Sequence, residues 1–96
     1  MVELEQTEDF QRWKDSIKDK TVKVRILARL ARVETGNFGD HAPVGAGVYE
    51  IRLQFDPGYR IYYKFKATTV VLLFCGGDKS TQNGDIEKAK ILAREH

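Results

Sequence analysis

The sequence predicts one α+β domain, with the element order β-α-α-β-β-β-α and helices packed on a largely antiparallel sheet. Three observations predict this class. The 96 residues suffice for a single hydrophobic core. Apolar residues recur at helical spacing in the first third of the chain and again near its end. Between these segments, apolar and polar residues alternate along two runs, which is typical of strands in a sheet with one polar face.

The composition is that of a folded domain and excludes several classes of protein. Hydrophobic residues make up 42% of the chain and charged residues 31%, which excludes a disordered segment. Sixteen Lys and Arg against 14 Asp and Glu give a net charge of +2, which excludes a polycation but not a basic patch. The single cysteine, Cys75, excludes a disulfide framework and a Cys-rich zinc site. We expect one cytoplasmic domain over residues 1–96, without a metal or a cofactor. We expect no membrane span, because no apolar run approaches about 20 residues.

The chain begins with a short strand and a first helix. Val2 and Leu4 alternate with glutamates, which predicts the strand. Thr7 is expected to be the N-cap of the helix, followed by Glu8 and Asp9, whose negative charge suits a helix N-terminus. The apolar stripe of this helix consists of Phe10, Trp13 and Ile17.

A second helix follows at once. Asp19 predicts its N-cap, and the helix is expected to end before Gly36. Its apolar face consists of Val22, Ile26, Leu30 and Val33. The glycine-rich segment 36–47 that comes next is predicted to be a loop.

Two alternating runs, 49–55 and 59–65, predict a β-hairpin. A three-residue loop, Asp56–Gly58, keeps the apolar residues of both strands on one face, with Gly58 in the left-handed conformation. The predicted pairs are Phe55 with Tyr59, Leu53 with Ile61 and Ile51 with Tyr63.

A continuous apolar run, Thr69–Cys75, predicts a central strand that is covered on both faces. Gly76 and Gly77 end it, and a last helix is expected to begin near Ser80. The residues expected to face inward from this helix are Ile86, Ala89 and Ala93.

The polar face of the hairpin carries the candidate chemistry. The predicted register places Arg52 across from Tyr62 and Arg60 across from Gln54, so the two arginines are diagonal neighbours. Two guanidinium groups this close repel each other unless an anion lies between them, and Arg suits a phosphate because it offers paired donors. Alternatively, Glu50 and Gln54 satisfy both arginines locally; the pattern leaves the two interpretations equally open.

Other basic residues extend this pattern. Lys64 belongs to the same face of the hairpin, across from Glu50. Lys79 follows the central strand after two glycines, and it could project over the same face. Arg25, Arg29 and Arg32 form a separate stripe on the second helix. Such a stripe is most often a solvated face, and the alternative is contact with an acidic partner or an RNA backbone.

Three stretches together resemble one known family, and the similarity covers nearly the whole chain. They are GNFGDHAPVGAGVYEIRL at 36–53, DPGYRIYY at 56–63 and LLFCGGDKSTQNGDIEKAK at 72–90. They are similar to the HigB-like addiction-module killer proteins of the RelE/ParE toxin superfamily. The resemblance implies a small α+β RelE/ParE-like domain and a toxin that a co-encoded antitoxin neutralises. Many such toxins cleave mRNA in the ribosomal A site without a metal, whereas a ParE branch poisons DNA gyrase.

The resemblance also implies roles for individual residues. Arg60 matches the arginine that stabilises the scissile phosphate, Arg52 a basic strand position facing the same site, and Lys79 a basic residue that assists the leaving group. RelE-type sites often carry a Tyr or His near the position that Asp85 occupies in this chain. Tyr62, from the sheet, is the expected substitute for that Tyr or His. We therefore expect a catalytic set of Arg52, Arg60, Lys79 and Tyr62, and RNA contacts from Arg52, Arg60, Lys64 and Lys79.

The expected function is a ribosome-dependent mRNA endoribonuclease that inhibits translation. The expected partners are mRNA in the ribosomal A site and an antitoxin, the latter bound at Arg25, Arg29 and Arg32. The alternatives are a gyrase-directed toxin and an inactive relative that serves as a binding module.

Overall fold

The computed structural model describes residues 1–96 and confirms the α+β class. Its elements are β1 (Glu3–Gln6), α1 (Glu8–Ser16), α2 (Lys20–Glu34), β2 (His41–Gly45), β3 (Val48–Arg52), β4 (Arg60–Ala67), β5 (Val70–Gly77) and α3 (Gln82–Glu95), with a 3-10 turn, Lys79–Thr81, before α3. The strands form one sheet in the order β1-β5-β4-β3-β2, in which only the β1–β5 pair is parallel.

The sheet separates two apolar clusters. On one face, α1 and α2 contribute Phe10, Ile26, Leu30 and Val33 to the larger cluster. On the other face, Ala89 of α3 packs with residues of β3, β4 and β5. Strand β5 is therefore covered on both faces, as its unbroken apolar run predicts.

Side-chain caps fix the starts of the first two helices, and both predicted caps are confirmed. The Thr7 hydroxyl accepts from the Phe10 amide at 3.1 Å and donates to the Phe74 carbonyl at 2.5 Å, so it also ties the end of β1 to β5. The Asp19 carboxylate accepts from the amides of Thr21 and Val22. No helix combines the length and the apolar character that crossing a bilayer requires.

The predicted loop at 36–47 is wrong in part, because it contains strand β2. Ala42 and Val44 of this strand are half-buried and alternate with exposed neighbours. Pro43 and the glycines argue against a strand in the sequence, but β2 is an edge strand, where a missing N–H is tolerated.

The predicted hairpin register is wrong by two residues. Arg52 lies directly opposite Arg60, and the Leu53 amide donates to the Tyr59 carbonyl at 3.0 Å, so the loop has five residues, 54–58. Phe55 leaves the strand because its ring packs against Tyr59 at 5.7 Å and under the Arg25 guanidinium at 4.7 Å. A two-residue shift preserves which residues share a face, so the polar face survives the correction.

Candidate functional site

A cleft of about 160 Å³ lies between the β3–β4 loop and the turn that precedes α3. We call it the hairpin cleft. It is lined by Leu53, Gln54, Phe55, Asp56, Gly58, Arg60 and Lys79. The loop, the first residue of β4 and the first residue of the 3-10 turn thus bring two cations and one carboxylate to the same small space.

Arg60 is the buried cation of the hairpin cleft. It is only 9% exposed, and its Nη1 donates to the main-chain carbonyls of Gly58 at 3.3 Å and Tyr59 at 3.4 Å. Its Nε is buried without a hydrogen-bond partner, and no carboxylate forms an ion pair with it. A buried charge compensated only by carbonyl dipoles favours an anion beside it.

Lys79 reaches the hairpin cleft across Gly58. A Cβ at Gly58 would overlap the methylene groups of Lys79, and the φ of +84° at Gly58 is one that other residues rarely adopt. Glycine at this position therefore lets the Lys79 stem lie against the loop while its exposed ammonium group stays free to bind an anion.

Arg52 lies opposite Arg60 but differs from it in charge compensation. Its Nε is 3.3 Å from Asp40 Oδ1 and 3.7 Å from Glu50 Oε1, within ion-pair distance although without hydrogen-bond geometry. Gln54 also donates to the Asp40 carboxylate. Of the two local partners that the sequence offers, Glu50 lies at ion-pair distance from Arg52, whereas Gln54 donates to Asp40; neither forms an ion pair or hydrogen bond with Arg60.

Glu50 and Tyr62 form the cross-strand pair two residues along β3 and β4 from the arginines, beneath α3. The Glu50 carboxylate is buried and accepts from the side-chain amide of Gln82, the first residue of α3, at 3.2 Å. Tyr62 is fully buried opposite Glu50, and its hydroxyl has no partner. Burial, reinforced by the charges of Glu50 and Asp85, raises the pKa of Tyr62, so the phenol stays protonated.

The turn into α3 satisfies its own amides. The Asp78 carboxylate accepts from the Ser80 amide at 2.8 Å and from the Ser80 hydroxyl at 2.5 Å, and these bonds lower the pKa of Asp78. Thr81 donates its hydroxyl to the Asp85 carboxylate at 2.5 Å. The Asp78 carboxylate therefore takes up the Ser80 amide at the start of this turn.

The structure brings together some predicted site residues and separates others. Arg60 and Lys79 share the hairpin cleft, and Arg52 lies directly across the strand pair from Arg60. Lys64 lies four residues along β4, and its ammonium group donates to the Ala93 carbonyl at the far end of α3. Tyr62 shares the sheet face but is covered by α3.

Two residues were missed by sequence reasoning: one pairs with Arg52, and the other donates to the neighbouring Glu50. Asp40 comes from the glycine-rich segment and Gln82 from α3, and each reaches the site only through tertiary folding. Nothing in their local pattern distinguishes them from other polar residues. No three His, Cys, Asp or Glu side chains converge as metal ligands do.

A second cleft, of about 220 Å³, lies between α2 and the other side of the β3–β4 loop. We call it the arginine cleft. It is lined by Arg25, Ala28, Arg29, Arg32, Leu53, Gln54 and Phe55. Arg29 Nη2 donates to the carbonyls of Phe38 and Asp40, and burial together with the neighbouring charge of Arg32 lowers the pKa of Arg29.

Solved structures of other proteins share this architecture. The free state of a double mutant of the E. coli toxin RelE superposes with a TM-score of 0.71, at 17% identity, over 96% of each chain. RelE in the intact E. coli RelBE toxin–antitoxin complex superposes with a TM-score of 0.63, at 19% identity, over 81% of this chain and 96% of that one. The fold is therefore RelE-like, whereas a closer relation to HigB does not follow from these structures.

Sequence comparison adds a relative and a family to this similarity in fold. A Haemophilus influenzae protein described as uncharacterized is 43% identical over 94 residues, which are 98% of this chain and 95% of that protein. The model of the phage-derived Gp49-like proteins (DUF891) matches residues 8–95, so the match includes both clefts and all three helices. The chain therefore belongs to the phage-derived Gp49-like protein family.

Proposed function

We propose that this protein is the toxin of a toxin–antitoxin pair and that it acts in the cytoplasm as a HigB-like, ribosome-dependent mRNA endoribonuclease. One observation carries the proposal: Arg60 is a buried cation without a counter-charge, in a cleft that also holds Lys79. A phosphodiester supplies the missing negative charge and offers paired oxygens that a guanidinium binds well. The RelE-like fold adds support, because the similar structures are those of toxins.

The proposed reaction is metal-independent transesterification. The 2′-oxygen of one nucleotide forms a bond to the adjacent phosphorus and loses its proton to a base, while the bond from phosphorus to the 5′-oxygen breaks. Arg60 and Arg52 stabilise the negative charge that grows on the phosphoryl oxygens, and Lys79 gives a proton to the departing 5′-oxygen. The products are a 2′,3′-cyclic phosphate and a 5′-hydroxyl.

The base is the part of the reaction that this chain supplies least well. Neither histidine lines the hairpin cleft, Glu50 is buried, and the buried Tyr62 phenol stays protonated. Tyr62 takes part, in this proposal, only if α3 moves off its ring. We therefore propose that the ribosome supplies geometry and proton transfer, and that Lys64 contacts RNA outside the cleft.

Arg60→Ala tests the proposal. Removing one strong donor to the transition state is expected to lower the cleavage rate of a translated mRNA by about 10²–10³-fold. The assay programs purified ribosomes with a short message, adds the protein and maps the new 5′ ends. Because Arg60 is buried, Lys79→Ala provides a second variant at an exposed position, and Arg12→Ala is the control at an exposed arginine of α1 that lines neither cleft.

Each result has a distinct meaning. Cuts confined to translated frames, lost in Arg60→Ala and Lys79→Ala but kept in Arg12→Ala, support the nuclease. DNA breakage with intact messages would instead indicate a gyrase-directed toxin. Growth that continues normally when the protein is expressed alone would indicate an inactive binding module.

We propose an antitoxin as the protein partner, bound through an acidic segment at Arg25, Arg29 and Arg32. The three arginines line one cleft without a carboxylate, and the similar RelE is found in complex with its antitoxin RelB. Arg25→Glu combined with Arg32→Glu is expected to weaken neutralisation by the co-encoded partner in a growth assay. Unchanged neutralisation would place the antitoxin elsewhere.

A further inference from the structure

The two clefts are neighbours with a common wall. Leu53, Gln54 and Phe55 line the hairpin cleft on one side of the β3–β4 loop and the arginine cleft on the other. The two clefts therefore adjoin each other across this loop. No carboxylate lines the arginine cleft, whereas Asp56 lines the hairpin cleft.

The arginines of the second cleft are poorly compensated by the protein. Arg25 and Arg32 are exposed and form no ion pair, and Arg29 donates to the Asp40 carbonyl rather than to its carboxylate. Positions 25, 29 and 32 follow one another along one face of α2, with axial rises of about 6 and 4.5 Å. The row therefore presents regularly spaced positive charge.

An aromatic ring lies beside this charge. The Arg25 guanidinium lies 4.7 Å from the centre of the Phe55 ring, which also packs against Tyr59. Grooves that bind single-stranded RNA combine a row of cations for the phosphates with aromatic rings or guanidinium planes on which bases stack. An acidic protein segment matches the charge, whereas an RNA strand matches the charge, the stacking surface and the adjoining hairpin cleft together.

We infer that the arginine cleft is a second RNA-binding site, which holds the phosphate backbone of the same single strand that enters the hairpin cleft. The inference rests on the proposed function, since it assigns a second site to that substrate. Arg25 and Arg32 bind phosphates, and the Arg25–Phe55 pair supports a base. Arg29 holds the segment 38–40 in place through its two carbonyl contacts. An antitoxin that covers this cleft competes directly with RNA.

The test measures binding without cleavage. The probe is a fluorescein-labelled dodecanucleotide of RNA with 2′-O-methyl groups throughout, which removes the attacking hydroxyl. Arg25→Gln combined with Arg32→Gln removes two phosphate contacts, and we expect the slope of log K against log salt to become shallower by about 1.4. Affinity near 100 mM salt is expected to fall about tenfold.

Two matched double variants complete the design. Arg25→Lys with Arg32→Lys keeps both charges and is expected to keep the salt slope while losing part of the affinity. Arg12→Gln with Arg94→Gln makes the same change in net charge at two exposed arginines that line neither cleft, and its salt slope is expected to match that of the wild type.

The outcomes separate this inference from the proposed function. If the Arg25→Gln, Arg32→Gln protein binds the probe like the wild type, or like the Arg12→Gln, Arg94→Gln control, the inference is wrong even when Arg60 proves essential for cleavage. Loss of antitoxin binding with unchanged RNA binding would likewise overturn it in favour of a protein-only surface. Loss of RNA binding in a protein that cleaves no message would support the second site and contradict the nuclease.

Discussion

Arg52 and Arg60 show how identical side chains in opposite positions acquire different properties. Asp40 and Glu50 lie beside the Arg52 guanidinium, whereas Arg60 has only the carbonyls of Gly58 and Tyr59. An incoming phosphate must compete with two carboxylates at ion-pair distance from Arg52, whereas no carboxylate is paired with Arg60, although Asp56 lines the same cleft. We therefore expect Arg60 to bind an anion more strongly than Arg52, a difference that strand alternation alone does not predict.

Tyr62 provides a test at the level of one atom. Its hydroxyl is buried without a partner, so the folded state carries the cost of desolvating it. Tyr62→Phe is expected to raise the free energy of unfolding by about 1 kcal/mol, measured by urea denaturation. Tyr49→Phe, at a half-buried ring of the same sheet, is the control and is expected to change stability by less than about 0.5 kcal/mol.

Cleavage by Tyr62→Phe is a separate readout. A variant that is more stable and still cleaves mRNA would limit Tyr62 to a role in packing. A stable variant with lost cleavage would place the hydroxyl in the reaction. Lower stability than the wild type would show that the hydroxyl is satisfied in the folded protein.

At the level of elements, the paired glycines at the end of β5 set how closely the helices approach the sheet. A Cβ at Gly76 would overlap the Trp13 ring of α1, and one at Gly77 would overlap the Asp85 carboxylate of α3. The two neighbouring positions thus accept helices on opposite faces. The glycine pair thus lets one helix approach each face of the sheet closely.

Gly76→Ala is expected to lower the free energy of unfolding by about 1–3 kcal/mol, because the rigid indole of Trp13 cannot yield without moving α1. The matched change is Gly84→Ala within α3, where an added Cβ meets nothing within 4 Å. It is expected to raise stability by about 1 kcal/mol through helix propensity. Urea denaturation of both proteins checks the pair, and equal effects would contradict this account of the packing.

The elements also show what local pattern can and cannot predict. The caps at Thr7 and Asp19 and the double-sided burial of β5 follow from short-range chemistry and were predicted correctly. Strand β2 was missed because its pairing with β3, rather than its own composition, makes it a strand. The predicted hairpin register was wrong because Phe55 packs against Arg25 of α2, and local sequence rules do not predict such a contact.

The residues of the candidate site also fall into those that local pattern predicts and those that it does not. Arg52, Arg60 and Lys79 were predicted as neighbours from strand alternation and from the glycine turn, and the structure places Arg60 and Lys79 in one cleft. Asp40 and Gln82 come from distant segments, so only the folded chain could identify them as partners of the site.

The whole molecule should be sensitive to alkaline pH. Burial raises the pKa of Cys75 to about 12 from its ordinary 9.0, helped by the Asp85 charge, and burial raises the pKa of Tyr63 to about 12 from 10.0. The folded state therefore keeps protons that the unfolded chain releases, and stability is complete below pH 9 and falls as pH rises from 9 towards 12. Urea denaturation at several pH values measures this slope.

Cys75→Ala separates the two contributions to the alkaline slope. The variant is expected to lose the part that begins near pH 9 and to keep the part that begins near pH 10, where the tyrosines titrate. A wild-type free energy of unfolding that stays constant from pH 8 to 11 would contradict the burial of these groups.

The parallel pairing of β1 with β5 has a consequence for how the protein is made. The first strand has no partner until the fifth has been synthesised, so an incomplete nascent chain cannot close its sheet. Lys79 emerges later still. The topology thus makes closure of the sheet wait for synthesis of β5, and formation of the hairpin cleft wait for Lys79 beyond it.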